Sequence, residues 1–121
     1  NSVSPGSRVL IIGGVPQWKP SLPELIVRMK GEQSDTALLA VPLYKEIDHV
    51  DTILSNLKKD GNFDFQSVLK LFCRKQKCRT WVGDEPFAWD YAHLTRSSSI
   101  LVASEILDRF NNIAGQAEGD R

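Results

Sequence analysis

The spacing of apolar residues changes along this chain, and the changes predict alternating strands and helices. Residues 8–14 form a continuous apolar run closed by two glycines, which is typical of a strand buried on both faces of a parallel sheet. Residues 48–59 follow helical spacing and predict an amphipathic helix with Asp51 on its polar face. The residues predicted to share its apolar face are Val50, Ile53, Leu54 and Leu57.

The segments between these two elements contain residues that begin, end or interrupt secondary structure. Two prolines make residues 15–20 a loop, and Ser21 is a good N-cap for a short helix that is expected to stop at Gly31. Pro42 makes residues 38–43 irregular or an edge segment, because proline cannot donate a ladder hydrogen bond.

The second half of the chain predicts one more strand and two more helical segments. Residues 62–65 alternate in polarity and predict a strand, and residues 67–72 predict a short helical turn. Residues 80–89 carry turn signals and are predicted to be a loop. Thr95 can cap a final helix, and residues 114–121 are expected to form a flexible tail. The apolar residues predicted to face the core from that helix are Ile100, Leu101, Val102, Ile106, Leu107 and Phe110.

Strand, helix, strand and helix in this order predict an α/β fold with a parallel sheet. Two strands with three helices make a thin sheet with one open edge, so we expect strands from outside this chain to complete it. The chain begins at Asn1 without an initiator Met, and it is therefore interpreted as a segment of something longer. Residues 1–121 are accordingly predicted to be a single, partial domain.

Composition narrows the class of protein. Of 121 residues, 41% are hydrophobic and 25% are charged, as in ordinary soluble globular domains. Lys and Arg number 15 and Asp and Glu number 15, so bulk charge draws the chain to neither nucleic acid nor an anionic membrane. The apolar runs are far too short to cross a bilayer.

The two cysteines, Cys73 and Cys78, enclose a short basic stretch, and a loop of this size can close as a structural disulfide. A disulfide would imply an oxidising compartment. Three alternatives stay open: two free thiols, a zinc site that includes His93, and a redox pair, whose usual Cys-x-x-Cys spacing is shorter. Residues 74–77, which are largely basic, are interpreted as a solvated loop tip, with contact to an anionic glycan or to a neighbouring domain as the alternative.

Candidate chemistry is concentrated at Asp90 and His93, three residues apart in a loop before the last predicted helix. This spacing suits a carboxylate that orients an imidazole, which then serves as general base for a hydroxyl nucleophile. No serine stands in a recognisable nucleophile motif, and the three serines at residues 97–99 open a helix. Residues 83–85 (Gly-Asp-Glu) contain no serine and are interpreted as a turn. The sequence therefore predicts the acid–base half of such a site without its nucleophile.

Trp18 and Trp89 are the candidate substrate contacts, because Trp18 follows the first strand and Trp89 precedes Asp90. Stacking on a sugar or an acyl chain is one interpretation of these rings, and packing in the core is the other. His49 lies near the polar start of a helix and is interpreted as a solvated surface residue.

Three features, in order along the chain, resemble the carboxyl-terminal half of an SGNH-type hydrolase domain. Residues 9–18 resemble a central strand that ends in Val-Pro and an aromatic residue, and Cys73 with Cys78 resemble the paired cysteines of that family. Residues 90–95 (Asp-Tyr-Ala-His-Leu-Thr) resemble its final block. More narrowly, the chain is similar to the SGNH domains fused to bacterial membrane acyltransferases that O-acylate surface polysaccharides.

The resemblance implies a flavodoxin-like, three-layer α/β fold with a parallel sheet that is incomplete in this chain. It implies acyl transfer to, or ester hydrolysis on, a cell-envelope carbohydrate, with His93 as general base and Asp90 as the residue that orients it. The serine and the oxyanion donors would lie in an N-terminal SGNH segment outside this chain, and a membrane acyltransferase domain is a second expected partner. The resemblance also implies a carbohydrate acceptor and a periplasmic or other extracytoplasmic location within a membrane protein. No metal, organic cofactor or nucleic acid is expected.

Two alternatives stay open. A degenerate or truncated domain of this kind would bind a glycan or a protein without catalysis, and the chain alone is expected to be inactive. A cytosolic esterase fragment is the other alternative, which free thiols at Cys73 and Cys78 would favour. A Gly-Asp-Ser block upstream of Asn1 would support the enzyme over the binding module.

Overall fold

Strands and helices follow one another through residues 8–30 and 32–119, which are the residues that the computed structural model describes. In chain order they are β1 (Leu10–Ile12), α1 (Leu22–Arg28), β2 (Leu38–Ala40), α2 (Tyr44–Leu57), β3 (Asp64–Gln66), α3 (Val68–Phe72), β4 (Cys73–Arg74), β5 (Lys77–Arg79), β6 (Trp81–Val82), β7 (Glu85–Pro86) and α4 (Arg96–Gly119). The predicted α/β class is confirmed. The expectation that Gly31 stops the first helix lies outside the described residues.

The parallel sheet consists of β1 and β3, paired so that Ile11 lies opposite Phe65. The chain crosses over between them through α1, β2 and α2, as a parallel pair requires. Predicted burial of the first strand on both faces is wrong for Ile12, which is half exposed. Among the described residues only β3 pairs with β1, so the other edge of β1 has no described partner strand.

Helix α1 begins where the sequence predicts. The Oγ atom of Ser21 accepts a hydrogen bond from the backbone N–H of Glu24 (3.4 Å), and a proline stands in the first turn. Leu22 buries its side chain completely and anchors this end of the helix in the core.

Helix α2 follows the predicted spacing, but it turns a different face toward the core. It begins at Tyr44, a turn earlier than predicted. Its buried residues are Ile47 and Asp51, so the prediction that Asp51 lies on the solvated face is wrong. The residues predicted to be buried that instead stay about half exposed are Val50, Ile53 and Leu57.

Strands β2, β5 and β4 form an antiparallel sheet in that order, with β2 at an edge as predicted for residues 38–43. Cys73 lies directly opposite Cys78 in the β4–β5 pair, and a disulfide joins them across a Cα–Cα distance of 4.0 Å. The predicted disulfide is confirmed, and because it uses both sulfur atoms the free-thiol and zinc alternatives do not apply. The turn at its tip has positive φ at Lys75 and Gln76.

Residues 81–86 form a hairpin within the stretch 80–89 that was predicted to be a loop. Strands β6 and β7 pair in antiparallel orientation around a turn, in which Gly83 has φ of +60°. Glycine adopts this conformation without steric cost, which agrees with the interpretation of residues 83–85 as a turn.

Helix α4 is capped by Thr95, whose Oγ1 accepts a hydrogen bond from the backbone N–H of Ser98 (3.4 Å). Of its predicted core residues, Val102 and Ile106 are buried, whereas Ile100 and Leu107 are exposed. The helix extends to Gly119 and so includes much of the predicted tail, residues 114–121. The flexibility of that tail stays a prediction.

The core is one cluster to which α1, α2, α3 and α4 all contribute. Its buried apolar residues are Trp18, Leu22, Val41, Ile47, Val68, Leu69, Phe72, Cys78, Phe87, Ala88, Val102 and Ile106. Within the described part of the chain, no helix combines the length and apolar character that crossing a membrane requires.

Candidate active site

The loop that contains Asp90 and His93 is closed at its base by backbone pairing. Ala88 forms an isolated antiparallel bridge with Leu94, and the N–H of Trp89 donates to the carbonyl oxygen of His93 (2.9 Å). The residues just before this bridge are buried, because the ring of Phe87 packs on that of Phe72 with centroids 5.5 Å apart. The loop is therefore short, and hydrogen-bonded, buried residues hold both of its ends together.

The tip of the same loop is bonded to the segment that follows β1. The N–H of Trp18 donates to the carbonyl oxygen of Tyr91 (2.6 Å), and the N–H of Leu22 donates to that of Asp90 (3.2 Å). Trp18 lies beyond the carboxyl end of β1, so these bonds place Asp90 and His93 at that edge of the parallel sheet. Open α/β sheets bind their ligands at this edge.

The carboxylate of Asp90 organises the backbone of the loop and the imidazole together. Its Oδ1 accepts hydrogen bonds from the backbone N–H groups of Ala92 (2.8 Å) and His93 (2.7 Å), as in an Asx turn. Its Oδ2 lies 2.7 Å from Nδ1 of His93. One side chain thus fixes both the conformation of the loop and the orientation of the ring.

The charge of Asp90 determines which nitrogen of the ring carries the proton. The backbone N–H groups of His93 and Ala92, followed by the imidazole, hold the pKa of Asp90 at about 2. The carboxylate is therefore ionised at neutral pH and can only accept, so Nδ1 must carry a hydrogen atom. In the neutral imidazole this leaves a lone pair on Nε2, which is the form that a general base needs.

The two tryptophans that were predicted to contact substrate differ in their exposure to solvent. The side chain of His93 is 78% exposed, and the neighbouring Trp89 and Tyr91 are 58% and 52% exposed. Trp18, by contrast, is 0% exposed and belongs to the core, which is the second of the two interpretations offered for it. Tyr91 was not singled out from the sequence, although its position beside Asp90 was a usable signal.

The serines nearest in sequence to His93 are engaged in holding α4. Ser97 donates from its Oγ to the carboxylate of Glu85, and Ser98 donates from its Oγ to the carbonyl oxygen of Phe87 (2.6 Å). In the described segments, no serine hydroxyl is hydrogen-bonded to His93, and no three His, Cys, Asp or Glu side chains gather in a way that would hold a metal ion. Among the described residues, the structure therefore presents a carboxylate in contact with an imidazole and no hydroxyl group bonded to that imidazole.

Sequence reasoning missed a buried carboxylate at the same edge of the sheet. Asp51 is 4% exposed, and its Oδ2 accepts a hydrogen bond from Oγ of Ser67, the residue after β3. Ser67 also accepts from the N–H of Lys70 (3.2 Å) and so caps α3. Burial raises the pKa of Asp51, and the Ser67 hydrogen bond opposes that rise. The available signal was an acidic residue directly beside the apolar stripe of α2.

Comparisons with known proteins add a family and a structural neighbour. A family model described as "SGNH domain (fused to AT3 domains)" matches residues 3–108, and no curated protein matches the chain. Among solved structures, the lipopolysaccharide acetyltransferase periplasmic domain of Salmonella ser. Paratyphi A is similar, with a TM-score of 0.71 and 28% sequence identity. The match covers 88% of this chain and 43% of that chain, so the chain spans less than half the length of that structure.

Proposed function

Because the chain belongs to the family of SGNH domains fused to AT3 domains, as its resemblance predicted, we propose that it provides the acid–base half of an acyl-transfer site. The substrate class proposed is a cell-envelope carbohydrate, which receives an acyl group or loses one by ester hydrolysis. The observation that carries the proposal is the 2.7 Å contact between Asp90 Oδ2 and His93 Nδ1. The similarity to a lipopolysaccharide acetyltransferase domain supports the same class of reaction.

In the proposed reaction a serine hydroxyl attacks the carbonyl carbon of the acyl donor, and its proton passes to Nε2 of His93. The tetrahedral intermediate then expels the donor's leaving group, which takes that proton from His93. An acceptor hydroxyl attacks the acyl-serine next, with His93 again as the base, and the serine recovers its proton. Asp90 holds the ring and stabilises the imidazolium that forms in each half of the reaction.

The serine and the oxyanion donors are proposed to come from an SGNH segment outside this chain. Ser97 and Ser98 are poor candidates, since their hydroxyl groups already bond Glu85 and the backbone of Phe87. A membrane acyltransferase domain is the second proposed partner and would deliver the acyl group. The chemistry needs only side chains and backbone donors, so no metal or organic cofactor is part of the proposal.

Trp89 is proposed to contact the carbohydrate acceptor, with Tyr91 beside it. Both rings are exposed next to His93, and exposed aromatic rings can stack on the apolar face of a sugar. The loop that carries them is held by the backbone bonds to Trp18 and Leu22, so the rings are attached to a fixed support.

An extracytoplasmic location is proposed on two grounds. The disulfide between Cys73 and Cys78 is the kind of bond that persists in an oxidising compartment such as the periplasm. The structural neighbour is itself a periplasmic domain. Membership in a family fused to AT3 domains supports attachment to a membrane protein.

A non-catalytic binding module is the second candidate function. The observation in its favour is that His93, among the described residues, has no serine hydroxyl as a hydrogen-bond partner. In that case Trp89 and Tyr91 would bind a glycan or a protein, and His93 would have no role in turnover.

The test is His93→Ala in the complete protein, with His49→Ala as its control on the exposed side of α2. Loss of the base should lower the acyl-transfer rate by about 10² to 10⁴-fold and leave the circular dichroism spectrum unchanged. His49→Ala should keep full activity. A folded His93→Ala protein with normal activity would sink the catalytic proposal and favour the binding module.

A further inference from the structure

We infer that Thr95 and Ser98 are positioning residues for the proposed acyl transfer, because their hydroxyl groups fasten the two arms of the loop that carries His93 (the His93 loop). The entering arm consists of residues 86–88, and the leaving arm consists of residues 94–98. Both hydroxyl groups bond carbonyl oxygens of the main chain, so they act on the imidazole through the loop that holds it. The inference rests on the proposed function, since only a catalytic base needs to be placed this closely.

The two hydroxyl groups hold two successive carbonyl groups of the entering arm. Thr95 donates from its Oγ1 to the carbonyl oxygen of Pro86 (2.7 Å). Oγ of Ser98 lies 2.6 Å from the carbonyl oxygen of Phe87 and 3.0 Å from that of Thr95, so its closer acceptor is on the entering arm. The N–H of Thr95 also donates to the carbonyl oxygen of Phe87 (3.3 Å). Side-chain and main-chain donors of the leaving arm therefore bond the same short stretch.

These hydrogen bonds are shielded from water. Thr95 and Ser98 are both 0% exposed, and Phe87 is 1% exposed with its ring packed on that of Phe72. A buried carbonyl group that loses its donor has no water to replace it, so the arrangement of donors and acceptors is strongly specified. The hydroxyl pair thus fixes the relative position of the two arms.

The position of Thr95 is passed directly to His93. Only Leu94 separates the two residues, and Leu94 forms the antiparallel bridge with Ala88. The N–H of Trp89 then donates to the carbonyl oxygen of His93 (2.9 Å). The main chain of His93 is therefore the last paired position of a short ladder whose other end the hydroxyl pair holds.

The imidazole depends on this support, because its side chain is 78% exposed and little packing holds it. Asp90 orients the ring within the His93 loop, but it belongs to that loop and moves with it. The hydroxyl pair instead ties the loop to α4, a helix of 24 residues that is anchored in the core by Val102 and Ile106. Proton transfer requires the base within hydrogen-bond reach of the nucleophile, and a displacement of about 1 Å can lower the rate about 10²-fold.

Thr95→Val in the complete protein removes the hydroxyl group and keeps the shape of the side chain. We expect kcat for hydrolysis of a small ester to fall at least about 10-fold, with KM within about twofold of normal. The acid limb of the pH profile should keep its position, because Asp90 still contacts His93. Thr95→Ser retains the hydroxyl group and should keep kcat within about threefold of normal. Normal kcat in folded Thr95→Val overturns the inference, and so does a Thr95→Ser protein as slow as Thr95→Val.

Thr80→Val is the matched control for lost stability. Thr80 is 1% exposed, and its Oγ1 donates to the carbonyl oxygen of Ala37 (3.3 Å). Its own carbonyl oxygen accepts from the N–H of Phe87, and valine preserves that main-chain bond. Thr80→Val should therefore lower the melting temperature but leave kcat normal. A fall in kcat equal to that of Thr95→Val overturns the inference, because the effect would then follow from stability alone.

Amide hydrogen exchange measures the His93 loop without reference to activity. In Thr95→Val the amide of Trp89, which bonds the carbonyl oxygen of His93, should exchange at least about 10-fold faster than in the unaltered protein. The amide of Gly13, which bonds Gln66 in the parallel sheet, should keep its rate. An unchanged rate at Trp89 overturns the inference. Equal acceleration at Gly13 also overturns it, because the loosening would then be global.

Ser98→Ala tests the second hydroxyl group, and it decides the question if Thr95→Val does not fold. It should lower kcat and accelerate exchange at Trp89, since Ser98 bonds the carbonyl oxygen of Phe87. A normal value of either quantity overturns the inference.

The outcomes separate this inference from the proposed function. Normal kcat in Thr95→Val together with an inactive His93→Ala variant would reject the positioning role and keep the catalysis. Accelerated exchange at Trp89 in Thr95→Val together with a fully active His93→Ala variant would keep the support of the loop and reject the catalysis.

Discussion

Gly13 and Asp51 are in such close contact that a Cβ atom at residue 13 would overlap Oδ1 of the carboxylate. The contact joins the end of β1 to the middle of α2, and the other oxygen of Asp51 bonds Ser67 at the end of β3. Three elements of the carboxyl edge therefore meet at one buried side chain. The requirement for glycine here is one of space, since the φ of Gly13 is not positive.

Gly13→Ala is expected to destabilise the domain by about 2 kcal/mol, because the new methyl group must displace Asp51 or the strand. The measurement is the free energy of unfolding in urea. In an Asp51→Ala background the same substitution should cost at least about 1 kcal/mol less, which a double-mutant cycle detects. Equal costs in the two backgrounds would show that this contact does not set the requirement.

The titration of Asp51 gives a pH dependence of stability with a defined sign. Burial raises the pKa of Asp51 in the folded domain, with a further rise from Asp48 and opposing effects from Ser67 and Lys70. The folded state thus binds this proton more tightly than the unfolded chain, in which the carboxyl has a pKa of about 4. The resulting stability is fully present below that value and is lost as pH rises through the folded pKa.

Asp51→Asn removes this titration. Between pH 4 and pH 7 its unfolding free energy should therefore decline less than that of the unaltered protein. Urea unfolding at half-unit pH intervals measures both curves. Parallel curves over this range would contradict the expected shift. Asp90 contributes with the opposite sign, but it does so equally in both proteins.

Asp90→Asn separates the two roles of the Asp90 carboxylate, which are to accept from the backbone of the loop and to orient the imidazole of His93. The amide oxygen can still accept the N–H groups of Ala92 and His93, so the fold should be preserved. The amide nitrogen cannot accept from Nδ1, which moves the ring hydrogen to Nε2 and removes the base. We expect kcat to fall by about 10⁴-fold with little change in melting temperature. Asp108→Asn, which neutralises an exposed carboxylate on α4, is the control. A near-normal kcat in Asp90→Asn would show that Asp90 does not set the tautomer of His93.

Trp89→Ala should weaken the use of a carbohydrate acceptor without impairing the chemistry. Loss of about 1.4 kcal/mol of stacking corresponds to a KM for the acceptor raised about 10-fold. Hydrolysis of a small ester should be unchanged, and Trp89→Phe should retain most of the acceptor affinity. Ile100→Ala, an exposed apolar position on α4, is the matched control. A uniform fall in both reactions would point to a disturbed loop instead of a lost contact.

Elements with local causes were predictable from the sequence. Ser21 and Thr95 cap their helices through hydrogen bonds to residues three positions away, so their signals lie within a few residues. The contact between Asp90 and His93 is local in the same sense. The disulfide also depends on a short hairpin, which brings Cys73 opposite Cys78.

Features that depend on distant partners were not predictable. The spacing in α2 correctly predicted a helix, but it could not show that Asp51 has a hydroxyl partner sixteen positions away at Ser67. That partner makes the acidic residue acceptable in the core. The bond between Trp18 and Tyr91 is likewise invisible in the sequence, because it joins segments far apart in the chain.

The hydrogen bonds that fasten the Asp90–His93 loop to Trp18 and Leu22 are all made by main-chain atoms. Every residue offers a carbonyl oxygen, so the bond that Trp18 donates to position 91 does not depend on which side chain stands at position 91. Substitution at positions 89 or 91 can therefore alter what lies around the imidazole while the imidazole keeps its place. In evolutionary terms, recognition and reactivity on this loop are free to diverge independently.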